Sequence, residues 1–559
     1  MKSKSLKSLT APGIILIIFL AHLFLNIFWI KIDSNQRIMG DDVFIHLFNN
    51  LTVTSQLGKA IKEHDIVPIV SQLKSGAIIS SGPVDKYAWP RLVYFVSSIF
   101  NLLFGVSLPI TIISNMFWFL ILIVSIYLIG KYLFNKETGL FAAFLTSFSP
   151  FIWGMSRKYG LDFPLVAVTS LSMYFLLKTE GFRSKLYTIL FFAALGIGFN
   201  VKMQILIYLL IPTVINIFND EMKPTFFEKS RNIFLGIMIF IVLSSIFWWG
   251  CLNGILGLFF LQQTKGLYDS AFEHKTPLLA SSVFYLDYLL RGLNLVLLLS
   301  IFGIYRMFRS AQKNRLLILS WAIVPMLIFL IMNPQRGRYI LPVFPAFCLI
   351  ASNAVINLKN RLYKYFLIGL SFIVYGCSLI LITLGPENYY GLKKGLEFIG
   401  YCKNIHQPDL YDFDIVARKF SAIIQKNNVQ GLPCKIGILE RANFYMFNDD
   451  PAVMLYNIRL NMPGQFFALE ENALRSSHIA IKNFIKELPS LKFLIVFTKD
   501  KEEIVDYKNI ISSRFYDSES LDATQQDLVK KYLADFEVLS KEETYIRKDK
   551  FLLNLLMHK

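Results

Sequence analysis

Apolar runs of about 17 to 22 residues recur along the first two thirds of the chain, the length that crosses a hydrocarbon core as a helix. Lipid offers no hydrogen bonds to the backbone, so a spanning run must satisfy its amides internally, as a helix or in a closed barrel. The spacing predicts helices near 11–30, 106–130, 138–154, 163–178, 186–201, 203–219, 232–250, 285–305, 316–333, 340–357 and 365–385. That is a polytopic α-helical membrane protein with about 11 spans. Composition agrees. Hydrophobic residues make up 54% and charged residues 17% of the 559 positions, against about a quarter charged in soluble domains.

A net charge of +18 would point to nucleic acid in a soluble chain. Here the positive residues cluster in alternate short loops, so they record orientation and imply no nucleic-acid partner. One set of loops carries Lys2, Lys4, Lys7, Lys131, Lys136, Lys178, Arg183, Lys185, Lys223, Lys229, Arg231, Arg306, Arg309, Lys313, Arg315, Lys359, Arg361 and Lys364. The other set carries Arg157, Lys158, Lys202, Lys265, Lys275, Arg336 and Arg338. The bias predicts a multi-pass protein of the inner (plasma) membrane, with a cytoplasmic N-terminus and an external, periplasmic C-terminus. The N-terminal apolar run is too long for a signal peptide and lacks a small-residue cleavage site, so it reads as a retained first helix.

Residues 31 to about 105 form a long first external segment. Two stretches in it, DDVFIHLFNNLTVTSQLGKAIKEHDI and KYAWPRLVYFVSSIFNLLFG, fit interfacial helices, with Tyr87, Trp89 and Tyr94 as headgroup-level anchors. From about residue 386 the pattern changes. Helical ENYYGLKKGLEFIG, DIVARKFSAIIQKNN and KEEIVDYKNIISS alternate with strand-like CKIGILE and LKFLIVFT, which predicts a soluble α/β domain. The expected division is 1–385, membrane-embedded, and 386–559, external. The five cysteines show no metal-binding spacing and read as small apolar residues, with a Cys402–Cys434 disulfide as an alternative.

Charged groups on the external side sit at helix ends. They are Asp41 and Asp42 in QRIMGDDVFIH, Arg157, Lys158 and Asp162 in SRKYGLDFPL, Lys202 in GIGFNVKMQ, and Arg336, Arg338 and Tyr339 in NPQRGRYILP. If the helix ends converge, these groups form a pocket of acids and bases at one membrane surface. Each also has a plainer reading as an interfacial charge reaching water. Asp162, two residues before Pro164, also suits a helix N-cap. Two arginines and a tyrosine between prolines suit phosphate, which arginine grips with two parallel donors. Lys202, confined to a short turn between apolar helices, calls for a partner or a ligand.

The order of these signals resembles the GT-C superfamily of membrane glycosyltransferases that use polyprenyl-phosphate sugars, notably the protein O-mannosyltransferases and the lipid A aminoarabinose transferase. The resemblance covers about residues 1 to 385. It rests on the acidic pair Asp41 and Asp42, the Arg157-to-Asp162 segment, GIGFNVK with Lys202, and RYILP with Arg338, Tyr339, Leu341 and Pro342. Where family members often carry Asp-Glu, this chain has Asp-Asp, and Ala88, Trp89 and Pro90 replace a His-Pro-Pro or Tyr-Pro-Pro element.

The resemblance implies a cell-envelope enzyme that transfers sugar directly, with inversion, from a polyprenyl-phosphate donor to a lipid, glycan or protein acceptor. A carboxylate at the bilayer surface would take the acceptor's proton. A neighbouring acid raises the pKa of such a base by like-charge repulsion. Asp41 is the expected base, with Asp42 and Asp162 the other catalytic acids. Arg157, Lys158, Lys202, Arg336, Arg338 and Tyr339 are the expected ligands of the donor phosphate. No cofactor is required, and a divalent metal is compatible with paired carboxylates without being implied. A transporter or lipid flippase is the competing class. It predicts charges or broken helices near midplanes, whereas the charges here lie at helix ends. In a structural or polymerisation subunit the acids would only cap helices.

Overall fold

The computed structural model describes residues 10–32, 43–63, 91–218, 226–248, 278–309, 314–331, 337–384, 413–427, 434–440, 466–468, 492–499, 536–546 and 549–558. Helices dominate through residue 384. They are α1 (Ala11–Ile32), α2 (Val43–Glu63), α3 (Leu92–Phe104), α4 (Leu108–Ile113), α5 (Asn115–Leu133), α6 (Lys136–Phe148), α7 (Pro150–Ser156) and α8 (Asp162–Lys178). Then follow α9 (Lys185–Phe199), α10 (Ile205–Phe218), α11 (Phe226–Trp248), α12 (Leu278–Leu293), α13 (Leu295–Arg309) and α14 (Arg315–Ile331). A 3-10 turn (Gly337–Val343) leads into α15 (Phe344–Ile356), and α16 (Arg361–Leu384) closes this part.

Every expected span falls on helix, but not every one is a single rod. The run near 285–305 is two helices, α12 and α13, bent by 104°. The break is at Asn294, whose φ of 51° lies in the left-handed region that asparagine tolerates better than most residues. Likewise α6 and α7 meet at 62°, where Pro150 opens α7 and cannot continue the hydrogen bonding of α6. By length and apolar composition, four described helices reach a full span, and six do if each bent pair counts as one. The core is built where α5 packs on α6 and α8, α8 on α9, and α15 on α6 and α13. Close contact between α5 and α6 depends on Gly130 and Gly139, since a Cβ on Gly130 would lie 2.5 Å from the Gly139 Cα.

The two expected surface helices of the first external segment are present as α2 and α3, and they pack on each other. A buried polar seam joins them. Asn50 donates to the Ser97 hydroxyl (2.8 Å) and accepts from Asn101 (2.7 Å), and Thr54 donates to Ser98 (2.9 Å). Tyr94 does not serve as a headgroup anchor: it is 1% exposed. Its hydroxyl has a partner inside the seam, so burial leaves no polar atom stranded.

The C-terminal part holds α17 (Phe413–Asn427) and strands β1 (Cys434–Glu440), β2 (Phe466–Ala468), β3 (Phe493–Lys499), β4 (Phe536–Ile546) and β5 (Asp549–His558). They form one five-stranded sheet in the order β2-β1-β3-β5-β4. The β1 pairs with β2 and β3 are parallel, whereas β5 runs antiparallel to β3 and β4. Among the described residues of this part, one helix precedes five strands, the last two of which pair antiparallel. The helices expected in 387–400 and 501–513, together with Cys402, lie outside the described residues.

Candidate active site

Three elements distant in sequence bring their ends together around Asp162. The first is the turn between α7 and α8. Asp162 is the first residue of α8, and Leu161 holds the capping position without a side-chain bond. The N-cap reading of Asp162 is therefore corrected. A residue inside the helix cannot cap it from the flanking position, and this side chain points to cations instead.

Lys202, in the turn between α9 and α10, donates to Asp162 Oδ1 at 2.5 Å. Arg338, on the 3-10 turn, places Nε 3.6 Å from Asp162 Oδ2. All three side chains are largely buried, at 10–16% exposure. A buried carboxylate is costly unless paired, and here two cations pair it. Asp162 stands ahead of the apolar run of α8. Burial alone would push its carboxyl up, but Lys202 and Arg338 outweigh that and hold it below the usual carboxylate range.

Tyr339 completes the group. Its ring lies 5.4 Å from the Lys202 ammonium, within cation–π reach. Tyr208 of α10 donates its hydroxyl to the Tyr339 carbonyl at 2.6 Å, which ties the 3-10 turn to α10. Beneath the turn, Gly337 meets Tyr288 of α12 so closely that a Cβ would lie 2.0 Å from the ring.

Arg157 has a different setting. It is 4% exposed and donates to Asn26 of α1 at 2.9 Å. Its guanidinium lies 4.9 Å from the Trp29 ring and 4.6 Å from the Trp153 ring. Ser156 next to it contacts His22 (2.9 Å), so a buried polar cluster joins α1 to α7. The Lys158 carbonyl accepts from Asn115 of α5 at 3.0 Å. Asp41, Asp42 and Arg336 lie outside the described residues.

Of the expected site residues, the structure gathers Asp162, Lys202, Arg338 and Tyr339. Residues that the sequence did not single out pack around them: Tyr208 and Tyr288 on the 3-10 turn, and His46 of α2 beside Gly160. His46 had one sequence signal, its position four residues after Asp42 at the start of a helical pattern.

Comparison with known proteins now bears on this geometry. Residues 89–249 match the family model described as dolichyl-phosphate-mannose-protein mannosyltransferase. Over that stretch the chain is similar to this family of glycosyltransferases. The matched stretch includes Asp162 and Lys202, while Arg338 and Tyr339 come from the helices beyond it. No curated protein matches the chain by sequence. Among solved structures, ArnT from Cupriavidus metallidurans bound to undecaprenyl phosphate is similar, with 12% identity and a TM-score of 0.58. The match covers 96% of this chain and 97% of that one. The apo form of the same protein gives 0.57 at the same identity and coverage. The fold of this chain is thus ArnT-like over most of its length.

Proposed function

We propose that this chain transfers a sugar from a polyprenyl-phosphate donor to a hydroxyl or similar acceptor at the external face of the plasma membrane, with inversion at C1. The observation that carries this reading is the Lys202–Asp162–Arg338 group beside Tyr339. The undecaprenyl phosphate bound to ArnT, a protein of the same fold, supports the choice of donor.

The chemistry follows from charge. An acceptor oxygen forms a bond to C1 of the sugar while the bond from C1 to the phosphate oxygen breaks. The electron pair of that bond leaves with the phosphate, whose negative charge grows. Cations already oriented at a partly dehydrated site stabilise such charge without reorganising. Lys202 and Arg338 are held that way by Asp162, and Arg336, Arg157 and Lys158 are the further cations that the reading assigns to the phosphate. The acceptor proton goes to a carboxylate. Asp162, paired twice, is a weak proton acceptor, so it positions the cations, and Asp41 in the first external segment is the base. Asp42, beside it, raises its basicity.

Kinetics of two variants test this reading. Lys202→Ala and Arg338→Ala should insert and fold, yet lose transfer by about 30- to 1000-fold, the effect of about 2–4 kcal/mol in the barrier. Transfer within twofold of the parent for both would exclude the phosphate role. The product's C1 configuration should be opposite to the donor's, and retention would exclude direct displacement.

A further inference from the structure

His46 lies in the first turn and a half of α2 and is 5% exposed. Its Nδ1 is 2.7 Å from the Tyr94 hydroxyl of α3, and the two rings are 5.9 Å apart. The other edge of the imidazole covers the turn that carries Asp162. A Cβ built on Gly160 would lie 3.4 Å from His46 Cδ2 and 4.0 Å from Nε2. One turn further along α3, Ser97 bonds the Tyr159 hydroxyl at 2.5 Å. The α2–α3 pair therefore grips two consecutive residues, Tyr159 and Gly160, immediately before Leu161 and Asp162. On the other side of the same turn, Asn115 of α5 holds the Ser156 and Lys158 carbonyls, each at 3.0 Å. A turn fixed from two faces has little freedom to move the carboxylate that it carries.

We infer that His46 is a positioning residue: wedged between Tyr94 and Gly160, it sets the 158–162 turn so that Asp162 holds Lys202 and Arg338 where the donor phosphate binds. The inference rests on the glycosyl-transfer reading and deepens it. It also gives the external segment a mechanical role. His46 stands four residues after Asp42 in sequence, so the helix that follows the acidic pair also steadies the phosphate clamp. Helix α2 thus links the base side and the leaving-group side of one reaction.

The test is a steady-state comparison on the full chain in nanodiscs, using a polyprenyl-phosphate sugar as the varied substrate. His46→Ala should raise the donor KM by about tenfold, the size expected from losing one buried hydrogen bond. His46→Asn, which keeps a polar partner for Tyr94, should recover part of that loss. Thr54→Val, deeper in the same α2–α3 seam, should weaken folding but leave the donor KM within twofold. A merely structural role lowers the active fraction, and so the apparent kcat, without moving KM. A parent that transfers sugar with His46→Ala at parental donor KM would overturn this inference and leave the proposed function intact. A parent that transfers none would overturn both.

Discussion

At the scale of single residues, the proposed reaction gives three aspartates different duties despite identical chemistry. Asp162 is enclosed by Lys202 and Arg338, which lowers its proton affinity and suits it to holding cations. Asp162→Asn keeps the size of the side chain and removes the charge, leaving two largely buried cations without their carboxylate. Breaking a buried pair from one side costs about 3–5 kcal/mol, so thermal unfolding of this variant in nanodiscs should come markedly earlier. The sign with pH follows from the lowered carboxyl. The ion pair's contribution is present at neutral pH and is lost as pH falls through that lowered value. The difference between parent and Asp162→Asn should therefore shrink in acid, and a difference that grows there would contradict the pairing. Asp41→Asn should abolish turnover while donor binding persists, and Asp42→Asn should do less damage. If both aspartates only capped a helix, neither change would matter much, because asparagine caps as well as aspartate. Turnover and donor binding measured on both variants separate the two accounts.

At the scale of elements, the site depends on how closely its supports approach. The 3-10 turn bearing Arg338 rests on Tyr288 through Gly337, with no room for a methyl group. Gly337→Ala should displace the turn at a cost of about 1–3 kcal/mol and lower transfer about as much as losing the Arg338 contact. Parental transfer by Gly337→Ala would mean that Tyr288 does not fix the turn. Hydropathy alone made the helices legible, because spans of this length leave a long apolar record, and the placement of charges at helix ends pointed to Asp162, Lys202, Arg338 and Tyr339. Other features left weaker traces. The break at Asn294 follows Asp287, Arg291 and Gly292 in YLDYLLRGLN, polar and glycine signals that the apolar residues around them outweigh. Tyr94 looked like an interfacial aromatic because its polar partners, His46 and the seam around Asn50, lie far away in sequence. Strand β4 carries a charged face in FEVLSKEETYI, and a solvated strand lacks the compact apolar signature that marked β1 and β3.

At the scale of the whole molecule, the proposed lipid-linked donor would account for a transferase built as a membrane bundle. The donor's tail remains in the bilayer while its phosphate meets cations at the surface. Orientation is then a functional requirement, and it is testable. A reporter active only outside the cytoplasm should be active when fused after residue 400, and a cytoplasmic signal there would place the acids on the wrong side for this reading. The central claim is that the bond between sugar and phosphate breaks at this site, and product stoichiometry tests it most directly. Purified protein in nanodiscs, given a radiolabelled polyprenyl-phosphate sugar and a membrane extract, should release one polyprenyl monophosphate for each labelled sugar joined to an acceptor. Labelled donor that crosses the bilayer with its sugar–phosphate bond intact, and no free polyprenyl monophosphate, would contradict the account and point to a transporter.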